Sequence, residues 1–373
     1  MSQIARLIEQ AMPKHTLSTY DARAEAAVRA LSRMCGGDAE REVERYKLVR
    51  ERLGKRIGGA SDRPLDPVVG IAQQIMSGLP AIMEMVLTLA GDGPRGFAYL
   101  TQGGTSSTLV EALTMLLRGT LQFHLESGGG DAQAELTADI FRTVFPNLDR
   151  LTEFSALAQG LLVGVVPRGD DVELKLYFNT RLDTSVPHRD KVMKVLELCG
   201  LNDAERNAGI YDALYQTNGD TRFTGLGVDL ADEDGRVKMY VHAPRTKAVG
   251  FMEDLVRRGI AEGRLEHARE LIEATESDAS SSDCEVAFAI RGSGPTTLKV
   301  TTFFQGKAVR AEHGEQVVGM IERWGYPGEP VRELFATLDA QAPVLQCYPL
   351  HGVGVELTDA ARPKVNVYVQ PNI

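Results

Sequence analysis

Few common signposts of function occur in this 373-residue sequence. Its four cysteines, Cys35, Cys199, Cys284 and Cys347, lie far apart, with no CxxC pair and no Cys/His ligand spacing. That pattern argues against a zinc site or a disulfide framework and fits four reduced thiols in a cytoplasmic protein. Long apolar runs are missing too. Stretches such as "IMEMVLTLA" are far too short to span a bilayer, and "MSQIARLIEQAMPKH" at the start holds no secretory apolar core. There is no positive excess: a net charge of −10 argues against a nucleic-acid binder and reads as solubility. No GxxxxGK[ST] loop is present. The glycines of "GLGVDLADEDG" match a dinucleotide fingerprint only loosely, and no helix-period segment follows them. Apolar content is 43%, ordinary for a globular protein.

What is present is a strand pattern. In "RVKMYVHAP" (236–244), Arg236, Lys238, Tyr240 and His242 share one face of an extended strand, while Val237, Met239 and Val241 share the other. "VELKLYFNTR" (172–181) sets Glu173, Lys175, Tyr177 and Asn179 opposite Val172, Leu174, Leu176 and Phe178. "TLKVTTFF" (297–304) gives Lys299, Thr301 and Phe303 on one side, and "PKVNVYVQP" (363–371) gives Lys364, Asn366, Tyr368 and Gln370. The strands recur roughly every 60 residues, which marks an internal repeat.

Each follows another strand-like run across a Gly/Asp/Pro turn, at 158–167, 223–231, 284–292 and 348–357. A fifth pair lies at 81–90 and 95–102, making five hairpins and ten strands. Helix-period segments precede the hairpins: 185–201 with Ser185 as expected N-cap, 246–275 broken near Gly263, and "EQVVGMIERWGY" followed by "PVRELFATLDAQ". The order predicts an α+β protein: five ααββ repeats closing a ten-stranded antiparallel β-barrel, helices outside. One barrel domain spans 1–373, with 1–64 as an N-terminal helical segment packed outside it. Ten strands leave a lumen wider than side chains fill, so the polar faces line a ligand site.

Arg95, Lys175, Arg236, Lys238 and Lys299 converge if the barrel closes. Gathered cations need a polyanion, and a diphosphate fits. Tyrosines add donor hydroxyls, and ring faces that stabilise a carbocation by about 0.5–2 kcal/mol each. An allylic diphosphate ionising in such a space satisfies both. No DDxxD or NDxxD motif is present to hold Mg²⁺. The nearest acidic clusters, "DLADED" (229–234) and "GDD" (169–171), are expected in solvated hairpin turns. No metal or other cofactor is therefore expected. Glu84 stands inside an apolar strand, either as a base in the lumen or as a carboxylate at the barrel rim.

Arg-x-Lys-x-Tyr at 236–240, Lys-x-Tyr at 175–177, Glu84 eleven residues before Arg95 and the repeat itself resemble the dimethylallyltryptophan synthase family of aromatic prenyltransferases. The resemblance runs from about residue 65 onward and implies the prenyltransferase (ABBA) barrel. It implies metal-independent transfer of a prenyl group from dimethylallyl or geranyl diphosphate to a small aromatic acceptor, foremost an indole, in secondary metabolism. Carried over, Glu84 would bind the indole N–H. Arg95, Lys175, Arg236, Lys238 and Lys299 would bind diphosphate. Tyr177, Tyr240 and Tyr368 would wall off the cation, and Phe97, Thr301 and Asn366 would line the pocket. Lys299 and Thr301 depart from the glutamine and tyrosine of many members, leaving Phe303 as the expected substitute ring. The lysine that takes the ring proton in some members has no counterpart, so the proton acceptor stays open. A phenol, carbazole or peptide side chain remains an alternative acceptor, and a non-catalytic anion-binding barrel an alternative function.

Overall fold

The computed structural model describes residues 17–49, 83–102, 109–126, 130–153, 160–168, 171–215, 222–230, 235–292, 296–304, 309–339 and 348–369. Ten helices lie among them, paired ahead of five hairpins. Helices α1 (Leu17–Met34) and α2 (Ala39–Val49) precede β1 (Met83–Ala90) and β2 (Gly93–Gln102). Helices α3 (Leu109–Glu126) and α4 (Gly130–Val144) precede β3 (Leu161–Arg168) and β4 (Asp171–Phe178). Then come α5 (His188–Leu198), α6 (Ala204–Tyr215), β5 (Arg222–Asp229) and β6 (Arg236–Pro244). The fourth unit is α7 (Arg245–Arg257), α8 (Glu266–Ala274), β7 (Ser280–Arg291) and β8 (Thr297–Phe304). The fifth is α9 (Ala311–Arg323), α10 (Glu329–Asp339), β9 (Leu350–Glu356) and β10 (Lys364–Val369).

Every neighbouring pair of strands is antiparallel, and β1 pairs with β10, so the sheet closes without an edge. All five hairpins consequently turn at one end of the barrel. Side-chain alternation explains why the sheet sits between two environments. Val237, Met239 and Val241 of β6 are 0–1% exposed, as are Val286, Phe288 and Ile290 of β7. These residues face the helices. Truncating one of them, as in Met239→Ala, removes packing worth about 2–5 kcal/mol.

The helices supply the matching stripe. In α10, Val331, Leu334, Phe335 and Leu338 are buried at helical spacing. The helical stretch beyond Pro244 breaks where expected, with Gly259 and Gly263 at φ +68° and +120°. A Cβ on Gly263 would stand 2.8 Å from the Leu357 carbonyl, so both conformation and space require glycine there. The expected cap at Ser185 is not formed. Ser185 bonds back to Asp183, and α5 starts after Pro187, whose fixed φ suits the helix entrance. Helix α1 lies against β2 and α10.

A polar lumen as the candidate active site

Cross-strand register fixes which residues face inward, because directly opposed residues share a face. Lys238 opposes Gly227 and Ala289, Tyr240 opposes Gly225 and Ala287, and Lys299 opposes Ala287 and Glu356. Tyr177 opposes Leu162 and Gly227, and Tyr368 opposes Val86 and Gly352. The lysines and tyrosines thus stand on β4, β6, β8 and β10, while Gly225, Gly227, Ala287, Ala289 and Gly352 on β5, β7 and β9 lie beside most of them. These small residues make room: a Cβ on Gly227 would come within 3.0 Å of Tyr240 and 3.2 Å of Tyr177.

The repeat sorts the lumen into layers along the even-numbered strands. Nearest the hairpin turns are ion pairs. Lys175 lies 3.0 Å from Glu173 and 3.3 Å from Asp229, Arg236 lies 3.4 Å from Asp229, and Lys364 lies 3.0 Å from Glu356. Next stand Lys238, Lys299 and Asn366 in the place that Lys175 holds on β4. Tyr177, Tyr240, Thr301 and Tyr368 follow, and then His242 and Phe303. The Tyr177 and Tyr240 rings are 6.0 Å apart, as are Phe303 and Tyr368. Lys299 Nζ sits 4.7 Å above the Tyr368 ring and donates to the Tyr368 hydroxyl. With its amide turned to satisfy both ends, Asn366 accepts from Lys299 at 3.1 Å and donates to Thr88.

Electrostatics in this enclosure are unbalanced. Burial pulls Lys238 well below the usual lysine range against the attraction of Asp229, and Arg236, Lys175 and Lys299 add to the fall. Burial raises Asp229, but Lys238, Lys175 and Arg236 outweigh it and hold its carboxyl below the ordinary range. Burial lifts Tyr177 and Tyr240 well above the usual phenol range, so both keep a proton to donate. Among the described residues, neither Lys238 nor Lys299 has a carboxylate within ion-pair distance. Arg236 Nε and Thr301 Oγ1 are buried without hydrogen-bond partners. Orphaned donors of this kind are costly unless a ligand meets them, and the ligand they suit is an anion. Among the described residues no three His, Cys, Asp or Glu side chains gather as a metal site, and no helix is long and apolar enough to cross a membrane.

No family model and no curated protein matches the sequence. Solved structures do match the fold. The 5-dimethylallyltryptophan synthase from Streptomyces coelicolor superposes with a TM-score of 0.69 at 14% identity, covering 94% of this chain and 97% of that one. The prenyltransferase PriB gives 0.70 at 17% identity over 94% and 96%, and AnaPT from Neosartorya fischeri gives 0.64 at 12% over 99% and 98%. The chain has the prenyltransferase-barrel fold.

Within this prenyltransferase barrel, the expected site residues separate into three groups. Lys175, Arg236, Lys238, Lys299, Tyr177, Tyr240, Tyr368, Thr301 and Asn366 meet in the lumen. Arg95 does not join them: it occupies the register shift between β1 and β2, is exposed, and lies over the Gly91 turn. Barrel closure does not bring it to the other cations, because the bulge leaves it without an opposed residue on β1. Phe97 opposes Leu87, is 6% exposed and packs in the outer core, so it does not line the lumen. Glu84 lies in β1 opposite Leu100. Its side chain falls outside the described residues.

Several lumen groups were not expected. Asp229 is not a solvated turn residue; it ends β5 and is 7% exposed. The signal was there: Gly225, Gly227 and Asp229 share a face at period two. Glu285 and Glu356 are inward by the same periodicity, and Glu356 meets Lys364 of the expected polar face. The remaining turn acids, 231–234 and 169–170, lie outside the described residues.

Proposed function

We propose that this protein is a metal-independent aromatic prenyltransferase, acting as one barrel domain in the cytoplasm. Its donor is an allylic diphosphate, dimethylallyl or geranyl, and its acceptor an electron-rich ring, foremost an indole. The observation that carries this reading is the pair of lysines, Lys238 and Lys299, that have no carboxylate within ion-pair distance among the described residues and stand beside the layer of Tyr177, Tyr240 and Tyr368. Lysines alone would suit any anion. A layer of ring faces next to them suits a cation that appears once that anion departs.

In this reading the diphosphate sits against Lys238, Lys299 and the orphaned Arg236 Nε, with tyrosine hydroxyls donating to its oxygens. The donor C–O bond breaks and its electron pair leaves with the diphosphate. The allylic cation forms between the tyrosine rings, which exclude water. An acceptor ring held on the open side supplies a π pair to the new C–C bond, and the ring then loses a proton. Glu84 is assigned the acceptor N–H, where a carboxylate supports the developing positive charge. Reports on the fold neighbours are compatible: one Streptomyces coelicolor structure is a complex with DMASPP and Trp.

The test is direct. Purified protein with EDTA is incubated with dimethylallyl, geranyl and farnesyl diphosphates against a panel of indoles, phenols, carbazoles and aromatic peptides, with products read by mass. A prenylated aromatic product formed in EDTA supports the reading. Diphosphate binding without any product would make the protein a passive anion-binding barrel, and activity restored only by Mg²⁺ would overturn metal independence.

A further inference from the structure

Prenylation of an aromatic carbon leaves a proton to be removed, and the lumen residues named so far are occupied otherwise. Glu173, Asp229 and Glu356 are paired with Lys175, Arg236 and Lys364 at the hairpin-turn end. Lys238 and Lys299 face the diphosphate. At the opposite end stands a different kind of pair. His242 follows Tyr240 by two positions on the inward face of β6, and its opposed residue on β7 is Glu285. His242 Nε2 lies 3.7 Å from Glu285 Oε2. Glu285 precedes Ala287, the residue opposed to Tyr240, by two positions on the same face of β7, so it stands one step from the aromatic layer.

Resting on the prenyl-transfer reading, we propose that His242 is the catalytic proton acceptor and that Glu285 is its positioning residue. The side chains are 35% and 20% exposed, so they touch both the lumen and the solvent at its mouth. With Nε2–H turned toward Glu285, Nδ1 carries the lone pair that receives the proton. The step balances as follows: the ring C–H pair returns to the ring, aromaticity is restored, and the proton passes to Nδ1 and on to water. Glu285 holds the imidazolium by charge, as a carboxylate does beside a histidine base elsewhere.

The groups around the pair fit this role. On β5 the residue opposed to His242 is Arg222, whose guanidinium is bonded to Asp283 and so has its own carboxylate partner. On β8 Glu285 is opposed by Thr301, which carries no charge. Tyr240 remains protonated.

The experiment uses wild type, His242→Gln and Glu285→Gln with dimethylallyl diphosphate, and the acceptor found active in the panel, both unlabelled and deuterated at the alkylated carbon. Wild type must first form product; if it does not, the prenyl-transfer reading itself fails, separately from this assignment. For His242→Gln the expected result is a fall in product formation of roughly 10²-fold. Diphosphate release as prenyl alcohol should continue, the deuterium isotope effect on product formation should exceed that of wild type, and added imidazole should restore part of the rate. Glu285→Gln should show a smaller loss of the same kind. An unchanged isotope effect and an unchanged ratio of product to prenyl alcohol in both variants would overturn the assignment. Should His242→Gln fail to fold, Glu285→Gln carries the same measurement.

Discussion

Gly354 and Lys299 share one volume. A Cβ on Gly354 would stand 2.5 Å from Lys299 Cε and 2.8 Å from Thr301 Oγ1. The missing side chain on β9 is therefore what lets the lysine lie across it toward Tyr368.

Gly354→Ala should displace the flexible Lys299 rather than unfold the barrel. Lys299 would lose the Tyr368 and Asn366 contacts that aim it. The loss of one charge-assisted contact, about 1.5–3 kcal/mol, should raise the KM for the diphosphate donor roughly tenfold or more. Steady-state kinetics with a thermal melt checks this; a normal KM would show that Lys299 reaches the donor from another direction.

Lys238→Met should weaken catalysis yet strengthen the fold. One lost contact to the leaving diphosphate predicts a fall of about 10- to 150-fold in kcat/KM. In the folded protein Lys238 titrates well below its ordinary 10.5. The unfolded chain thus binds the extra proton, and stability rises with pH between the depressed value and 10.5. Methionine has no such dependence. The variant should melt higher than wild type at neutral pH, and the gap should close as pH rises, read by denaturation across a pH series.

Asp229→Asn should do the reverse. Its carboxylate compensates Lys175 and Arg236, and breaking a buried pair costs about 3–5 kcal/mol. Because its folded value lies below 3.8, that contribution is present at neutral pH and fades as pH falls through the folded value. Added inorganic diphosphate should replace the lost charge, so it should raise the melting temperature of the variant more than that of wild type. Equal shifts in both would place the anion away from Asp229.

Glu84→Gln should keep affinity for a non-ionising diphosphate analogue and lose prenyl transfer to an indole, by an order of 10²–10⁴-fold. Slow release of prenyl alcohol should persist. Wild-type transfer would leave Glu84 as a rim carboxylate, and lost analogue binding would give it a structural role.

Much of this architecture was legible because two periodicities are strong and independent. Val237, Met239 and Val241 against Arg236, Lys238 and Tyr240 specify a strand between a core and a lumen, and four copies of that pattern specify closure. What escaped was local. Arg95 stands at a bulge, where alternation no longer tells which way a side chain points, and Phe97, carried over from the family resemblance, opposes Leu87 on the outer face. Asp229 was misplaced because acidic residues before a glycine resemble a turn. Its partner Arg236 stands across the β5–β6 turn and Lys175 lies on β4, so only register shows that a carboxylate there stabilises the lumen. Glu285 and His242 come from different strands and meet only across β6 and β7.

The alternation of broad and narrow strands around the barrel separates two properties that most enzymes entangle. The lysine and tyrosine layers belong to β4, β6, β8 and β10, while much of the free width beside them belongs to glycines and alanines of the neighbouring strands. Replacing Ala287 or Ala289 by a bulkier residue would narrow the cavity without removing a reactive group. Substrate size can thus drift through these small residues while the lysine and tyrosine layers stay in place, and variants at Ala287 or Ala289 should change acceptor preference more than turnover.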